Sequence, residues 1–433
     1  MSTLLIFLGV FFGLALFCRV PIAYSLGMGA IVGFLYNGLS LMTVGQAAFN
    51  GLQSLPFLAV PFFILAGTFM EHSGISRQLL EFIEAFFGRF RGAAGTIAVF
   101  TSAAFGAITG SVLATISAVG KIVFPTLIEK GYSKEYSAAL LTASSILGIL
   151  VPPSVPGIIY SLASGVKVSD VWFATLGPAL LLCVAYSVLN FVIVGRREEK
   201  GLRITAGEYT KNIVRKSGRA IPALLMPVII FGGIYSGMFT ATEAGSVAVV
   251  YGTLYYLYKK LRKMKATSTF YKIVVDSATV TASIGMLIVF ATVTSRLIAF
   301  SGVSALLANI ITEGITSPLM FIVLVNVLFI VLGTFMDENA AIMIFIPLLV
   351  PTVAAYGIDP VYFSGMALLN LSIGFMTPPF ATALFLGIKI ADADFIGTAK
   401  WIIPFFLTAV AVLIIVVLCP SITTYLPGLI TVK

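Results

Sequence analysis

Gly106-Ala-Ile-Thr-Gly-Ser111, followed by Pro125, Gly131 and Gly148-Ile-Leu-Val-Pro-Pro153, has a second copy in kind. That copy runs Gly333-Thr-Phe-Met-Asp337, Pro351, Gly357 and Gly374-Phe-Met-Thr-Pro-Pro379. One ungapped shift of 226 residues pairs Ser111 with Asp337, Ala114 with Ala340, Pro125 with Pro351 and Thr126 with Thr352. It also pairs Gly131 with Gly357, Tyr136 with Tyr362, Gly148 with Gly374, both prolines of each Pro-Pro, and Pro178 with Pro404. Matched Leu or Val would mean little in an apolar chain. Matched Pro and Gly mean more, because each dictates a backbone shape. The chain therefore reads as two repeats of one plan.

Composition sets the class. Of 433 residues, 59% are hydrophobic and 10% charged, and the mean hydropathy is +1.08. Such a chain is an all-α polytopic membrane protein in contact with a lipid bilayer. The net charge of +9 sits in clustered Lys and Arg, which point to cytoplasmic loops and not to nucleic acid. Cys18, Cys183 and Cys419 lie in apolar segments and show no disulfide or metal spacing. The N-terminus has no positive region before its apolar run, so it reads as a first helix and not a cleaved signal.

Residues 1–195 form the first repeat, 196–218 a cytoplasmic linker and 219–433 the second repeat. In the first, residues 2–18, 20–38 and 55–72 span, and 75–91 is amphipathic, suited to lying along the membrane surface. Residues 93–129 are apolar but interrupted at Gly106–Ser111, and fit a re-entrant helical hairpin better than one long span. Residues 135–165 are a span broken at 148–153, and 171–194 cross again. The stretch 196–219 holds eight basic residues against three acidic. The second repeat follows the same plan, with a hairpin at 317–355, a broken span at 360–388 and a last span at 394–418.

The positive-inside rule places 196–219, Arg19, the 75–91 helix, Lys130, Lys134, the 259–272 cluster and Lys400 in the cytoplasm. Each half then has an odd number of full crossings, so the halves are inverted relative to one another. Inverted repeats with broken helices meeting at mid-membrane are the architecture of an ion-coupled secondary transporter.

A non-helical backbone inside hydrocarbon needs partners for its polar groups. The Pro pairs remove donors and free the carbonyls of Gly148, Ile149, Gly374 and Phe375. Freed carbonyls beside hydroxyls and amides suit a small monovalent cation; alternatively, the Pro and Gly only kink helices for packing. The first cation site is assigned to Gly106, Thr109, Gly110, Ser111, Ser144, Ser145, Gly148 and Val151. The second takes Gly333, Thr334, Met336, Asp337, Asn370, Gly374 and Thr377. The substrate path takes Pro153, Ser154, Arg296, Asn339 and Pro379. A carboxylate at helix centre costs about 3 kcal/mol on insertion scales, so Asp337 at the tip either faces a cation or substrate, or sits where water reaches it. Glu338 pairs with Val112 and has no polar counterpart. Glu71, Glu243 and Arg296 also lie near membrane depth; Arg296 either snorkels or meets substrate negative charge.

Five phrases in order carry a resemblance: Gly-Ile-Leu-Val-Pro-Pro-Ser-Val-Pro (148–156), Gly-Met-Phe-Thr-Ala-Thr-Glu-Ala (237–244), Gly-Thr-Phe-Met-Asp (333–337), Gly-Ile-Asp-Pro-Val-Tyr-Phe (357–363) and Gly-Phe-Met-Thr-Pro-Pro (374–379). Over nearly its whole length the chain resembles the large membrane (M) subunit of tripartite ATP-independent periplasmic (TRAP) transporters. It departs at Phe380-Ala381, where the family pattern has a small pair ending in Gly. The resemblance implies sodium-coupled import of an organic acid, a carboxylate such as sialic acid or a C4-dicarboxylate or a sulfonate, across a bacterial inner membrane. It implies a small four-helix membrane (Q-type) subunit, a periplasmic (P-type) binding protein and an elevator motion of hairpins and broken helices against a scaffold. Rival readings are a stand-alone sodium/dicarboxylate symporter and, more remotely, an intramembrane enzyme. Against the enzyme, the only histidine is His72, and no Gly-x-Gly-Asp or Walker-type loop occurs.

Overall fold

A computed structural model describes residues 2–88, 92–195, 206–262, 268–378 and 381–431. The regular structure of these residues is entirely helical, without strands. By length and composition, 8 helices among the described residues can cross a membrane, or 9 when the bent pair Lys134–Leu150 and Val155–Ser164 counts as one span. Their outer faces keep large apolar side chains exposed, such as Leu225, Val327 and Leu407. That is the inverse of a soluble surface and suits lipid as solvent.

The sequence repeat reappears as a repeat of local structure. The first hairpin is Ala93–Thr109 and Val112–Glu129; the second is Pro318–Phe335 and Glu338–Ala355. Ser111 caps the second helix of one hairpin by accepting from Ala114 N at 3.4 Å, and Asp337 caps the other by accepting from Asn339 N at 2.9 Å. Gly131 (φ 83°) and Gly357 (φ 65°) turn each chain in the left-handed region, where a Cβ would be strained. Ser133 then caps Lys134–Ser145, and Asp359 caps Pro360–Gly374. Tyr136 donates to Asn190 Oδ1 at 3.2 Å, and Tyr362 donates to the Val417 carbonyl at 3.2 Å. Each tyrosine thus ties the start of a broken span to the far end of the following helix, Val168–Asn190 or Phe395–Leu418.

Around this inner group stands a scaffold. Helix Leu55–His72 packs along Ala241–Leu261, and Ile22–Tyr36 packs along Phe270–Ser301. Small residues allow the approach: Gly252 lies over the Ala66 carbonyl, and Gly33 over Leu297. Amphipathic helix Ile75–Phe87 buries Ile75, Leu79 and Ile83; the sequence's Arg89 and Arg91 lie outside the described residues.

The structure differs from the sequence reading in three places here. The polar stretch read as a linker is helical from Ala206, in a continuous helix to Tyr235. Lys216 Nζ meets Glu84 Oε2 at 2.9 Å, and Tyr209 donates to the Phe86 carbonyl at 2.9 Å, so the amphipathic helix holds its first turns. Residues 196–205 and 263–267, which are part of the two basic stretches, lie outside the described residues. Glu243 is the N3 residue of a capping box: its carboxylate accepts from Thr240 N at 2.7 Å while its own N–H reaches Thr240 Oγ1 at 3.3 Å, which accounts for it without any transport role. Lastly, a helix Ser421–Thr431 follows the final span and packs on Val168–Asn190.

Candidate functional site

Both hairpin tips lie against breaks. A Cβ on Gly106 would stand 2.6 Å from Gly148 Cα, and one on Gly148 would stand 2.7 Å from the Ser111 carbonyl oxygen. A Cβ on Gly110 would stand 2.5 Å from the Pro153 carbonyl oxygen. In the second copy, a Cβ on Gly333 would stand 3.0 Å from Gly374 Cα. Glycine at these positions lets one backbone cross another in contact. The first broken span bends by 49° between Leu150 and Val155. Val151 leaves the helix in extended conformation, and Ser154 restarts it by accepting from Gly157 N at 3.3 Å. Trp172 Nε1 donates to the Ser154 carbonyl at 3.1 Å and fixes the restart.

The hydroxyls in and beside the first cation site divide. Thr115 Oγ1 donates to the Ser111 carbonyl at 2.7 Å and stands 3.5 Å from Thr109 Oγ1. Ser145 donates to the Thr142 carbonyl at 2.7 Å. Ser144 Oγ is buried with no hydrogen-bond partner among the described residues. In the second copy, Asn370 Nδ2 donates to Asn326 Oδ1 at 2.6 Å and to the Asn326 carbonyl at 2.9 Å, while Asn370 Oδ1 is buried and unpartnered. Thr334 and Thr377 hydroxyls donate to the Ile330 and Ile373 carbonyls at 2.9 Å each. Met336 closes its helix with its N–H on the Leu332 carbonyl at 3.0 Å.

One expectation is corrected. The Gly374 carbonyl is not freed by the break, because Thr377 N–H turns back to it at 3.0 Å. A Pro pair removes its own N–H groups, but the two residues before it can still close a turn. Pro379 and Phe380 lie outside the described residues.

A cavity of about 700 Å³ lies where the two tips converge. Its walls include Thr109, Gly110 and Ser111 of the first tip, and Asp337, Glu338 and Asn339 of the second. Phe375 and Pro156 of the broken spans also line it. Its other wall is scaffold: Glu71 and His72 at the end of Leu55–His72, and Asp276 with Thr279 and Ser283 near the start of Phe270–Ser301. Asp337 is exposed into this space, whereas Glu338 is 6% exposed with Oε2 unpartnered. Of the residues assigned to the substrate path, Asn339 lines the cavity; Pro153 and Ser154 are buried and do not line it. Arg296 does not line it: its guanidinium stands 5.4 Å from the Phe300 ring centroid, on an exposed face.

Sequence reasoning missed Asp276 and Asn326. Asp276 had a visible signal, a carboxylate at the head of an apolar run. Asn326 had a weaker one, an amide inside an 18-residue apolar helix, and its role appears only once Asn370 is seen beside it.

The chain was compared with known proteins. The family described as "Tripartite ATP-independent periplasmic transporter, DctM component" matches residues 8–422. The isethionate TRAP transporter permease protein DctMQ of Oleidesulfovibrio alaskensis is 33% identical over 96% of this chain, and the chain spans 65% of that protein's length. The sialic acid TRAP transporter large permease protein SiaM of Vibrio cholerae is 32% identical, with 96% of each chain covered. The C4-dicarboxylate TRAP transporter large permease protein DctM of Rhodobacter capsulatus is 31% identical, with 99% of each covered. Among solved structures, the Alcanivorax borkumensis YdaH transporter, described as having an unusual topology, aligns with a TM-score of 0.59 at 16% identity, covering 85% of this chain and 87% of that one; at that identity the likeness concerns the fold alone. With the matched region running almost end to end, this multi-pass membrane protein belongs to the DctM family, the large permease component of tripartite ATP-independent periplasmic transporters.

Proposed function

We propose that this chain is the sodium-coupled permease of a bacterial inner-membrane importer for an organic acid. The observation that carries the reading is the cavity enclosed between two hairpin tips and two scaffold helices. A tip lying against the middle of a broken span is itself near half depth, which is where secondary transporters bind cargo. The cavity runs from the tips toward His72 and Asp276, the ends of the scaffold helices nearest Lys259, Lys260 and Lys272. With the basic loops in the cytoplasm, this is an inward-facing state. Movement of the hairpins and broken spans past the scaffold would open the other side, an elevator motion.

Sodium fits the residues present. Ser144 Oγ and Asn370 Oδ1 are buried acceptors without partners, one beside each break. A buried acceptor left unpaired costs about 1–3 kcal/mol, and a monovalent metal ion bound there removes that cost. Thr109, Ser111 and Ser145 in one half, and Thr334, Asp337 and Thr377 in the other, supply further oxygens nearby. The relatives' names point to isethionate, sialic acid and C4-dicarboxylates as the kind of cargo. The reading includes a periplasmic binding protein that delivers cargo and a small membrane subunit, whose equivalent we place in the remainder of the longer Oleidesulfovibrio relative.

Uptake into proteoliposomes tests this, using the chain with its candidate small subunit and binding protein. An inward sodium gradient is expected to drive accumulation. Uptake that persists when potassium replaces sodium and only a pH gradient remains would sink sodium coupling. Uptake undiminished without any binding protein would favour a stand-alone symporter.

The proposed orientation has its own test. Lys211→Cys and Met238→Cys are each placed in a chain with Cys18, Cys183 and Cys419 replaced. An impermeant thiol reagent, given to cells with a permeabilised outer membrane, is expected to label position 238 and spare 211. Labelling of both from one side refutes the assignment.

A further inference from the structure

The cavity wall has one sign of charge. Glu71 and Asp276 come from the scaffold and Asp337 and Glu338 from the second tip, and no Lys or Arg is among the residues lining it. Lys121 and Lys272 lie within electrostatic range of Glu71 and His72, but neither reaches the cavity. His72 adds a titratable ring at the same mouth, in range of Asp276. A purely anionic cargo enters such a wall against repulsion.

Glu338 supplies an independent observation. It lines the cavity while 6% exposed, and its Oε2 has no hydrogen-bond partner among the described residues; the adjacent Asn339 Oδ1 is unpartnered too. An ionised carboxylate buried without a donor is costly. It stands in the first turn of Glu338–Ala355, at the positive end of that helix. A donor cation arriving from the cavity satisfies what the protein leaves open.

The opposite wall has the other chemistry. Ser111, Val112 and Leu113 present the N-terminus of Val112–Glu129, an 18-residue helix, to the same space. A helix N-terminus carries unpaired N–H groups and attracts an acid group. We propose that the transported molecule is a zwitterion, an amino-carboxylate or amino-sulfonate. Its ammonium is held by Glu338, and its acid group faces the first hairpin tip at Ser111. The proposal rests on the transporter reading, but its test does not require uptake.

Two measurements on the purified full chain test it. In the first, Leu113→Cys is introduced with Cys18, Cys183 and Cys419 replaced, since Leu113 is 43% exposed and lines the cavity. The thiol is expected to prefer a trimethylammonium-ethyl methanethiosulfonate over its sulfonatoethyl counterpart by about ten-fold more than a free thiol does. Adding Glu338→Gln or Asp276→Asn is expected to reduce that preference, so the result survives if either variant fails to fold. The second measurement is thermal stabilisation by matched pairs, taurine against isethionate and 4-aminobutyrate against succinate. At least one ammonium member is expected to stabilise the protein more than its partner, and Glu338→Gln to erase the difference. A reagent preference no greater than that of a free thiol overturns the proposal. So does preference for the anion in either pair, or discrimination in neither. Stabilisation by sodium alone, with all four compounds inert, would assign Glu338 to a metal site instead.

Discussion

Gly374→Ala is expected to lower the thermal unfolding midpoint in detergent by several degrees and to remove most uptake. A Cβ at this position would stand 2.5 Å from the Gly333 carbonyl oxygen, with the Gly333 backbone on every near side. A clash with a side-chain tip relaxes by rotation; a clash with backbone moves a whole hairpin. Overpacking of this kind costs about 1–3 kcal/mol, which exceeds the roughly 1 kcal/mol that alanine gains over glycine inside a helix. The displaced element is the second tip, so the geometry of the cavity it lines is lost with it. Gly232→Ala is the matched control. It lies within helix Ala206–Tyr235, and its Cβ would meet nothing within 4 Å. That variant is expected to be as stable as the parent or slightly more so. Equal behaviour of the two variants would mean that the hairpin does not cross the broken span at these glycines.

The same contrast explains what could be read from the sequence. Residues with strong local rules matched across a 226-residue offset, and the structure gives each pair one local role: Ser111 and Asp337 as caps, Gly131 and Gly357 as left-handed turns, Pro125 and Pro351 inside helices. Each of these acts through its own backbone, so no knowledge of the fold is needed. The scaffold side of the cavity obeys no such rule. Glu71 and Asp276 sit on helices apolar all round, where periodicity does not say which face turns inward. Only the packing of Leu55–His72 and Phe270–Ser301 brings them opposite the tips. Arg296 illustrates the reverse: charge at membrane depth drew attention, yet its partner is Phe300 on its own helix. The helical start at Ala206 was hidden by composition, because a basic run reads as a loop until Glu84 and Phe86 are found beneath it.

Asp337→Asn is expected to leave the protein folded while raising the sodium concentration for half-maximal uptake by about ten-fold or more, the equivalent of losing a charge-assisted ligand worth roughly 1.5–3 kcal/mol. The choice of asparagine matters because Asp337 has two separable duties. As N-cap of Glu338–Ala355 it accepts from Asn339 N at 2.9 Å, and asparagine caps about as well as aspartate. As a carboxylate exposed in the cavity it supplies charge, which asparagine does not. Asp337→Ala removes both, and should add roughly 0.5–2 kcal/mol of destabilisation to the transport defect. A transport loss shared by both variants with a stability loss confined to alanine assigns the defect to charge. The neighbouring carboxylate sharpens the comparison. From the repeat, Glu338 stands opposite Val112 and has no polar counterpart. The structure buries Glu338 in the same cavity wall, so it is no water-solvated bystander. If Asp337 is the cation ligand, Asp337→Asn shifts the sodium dependence, and Glu338→Gln acts on cargo selectivity with the sodium curve in place. Initial uptake against sodium concentration, normalised to inserted protein, separates them. Superimposable sodium curves for Asp337→Asn and the parent would remove Asp337 from the cation site.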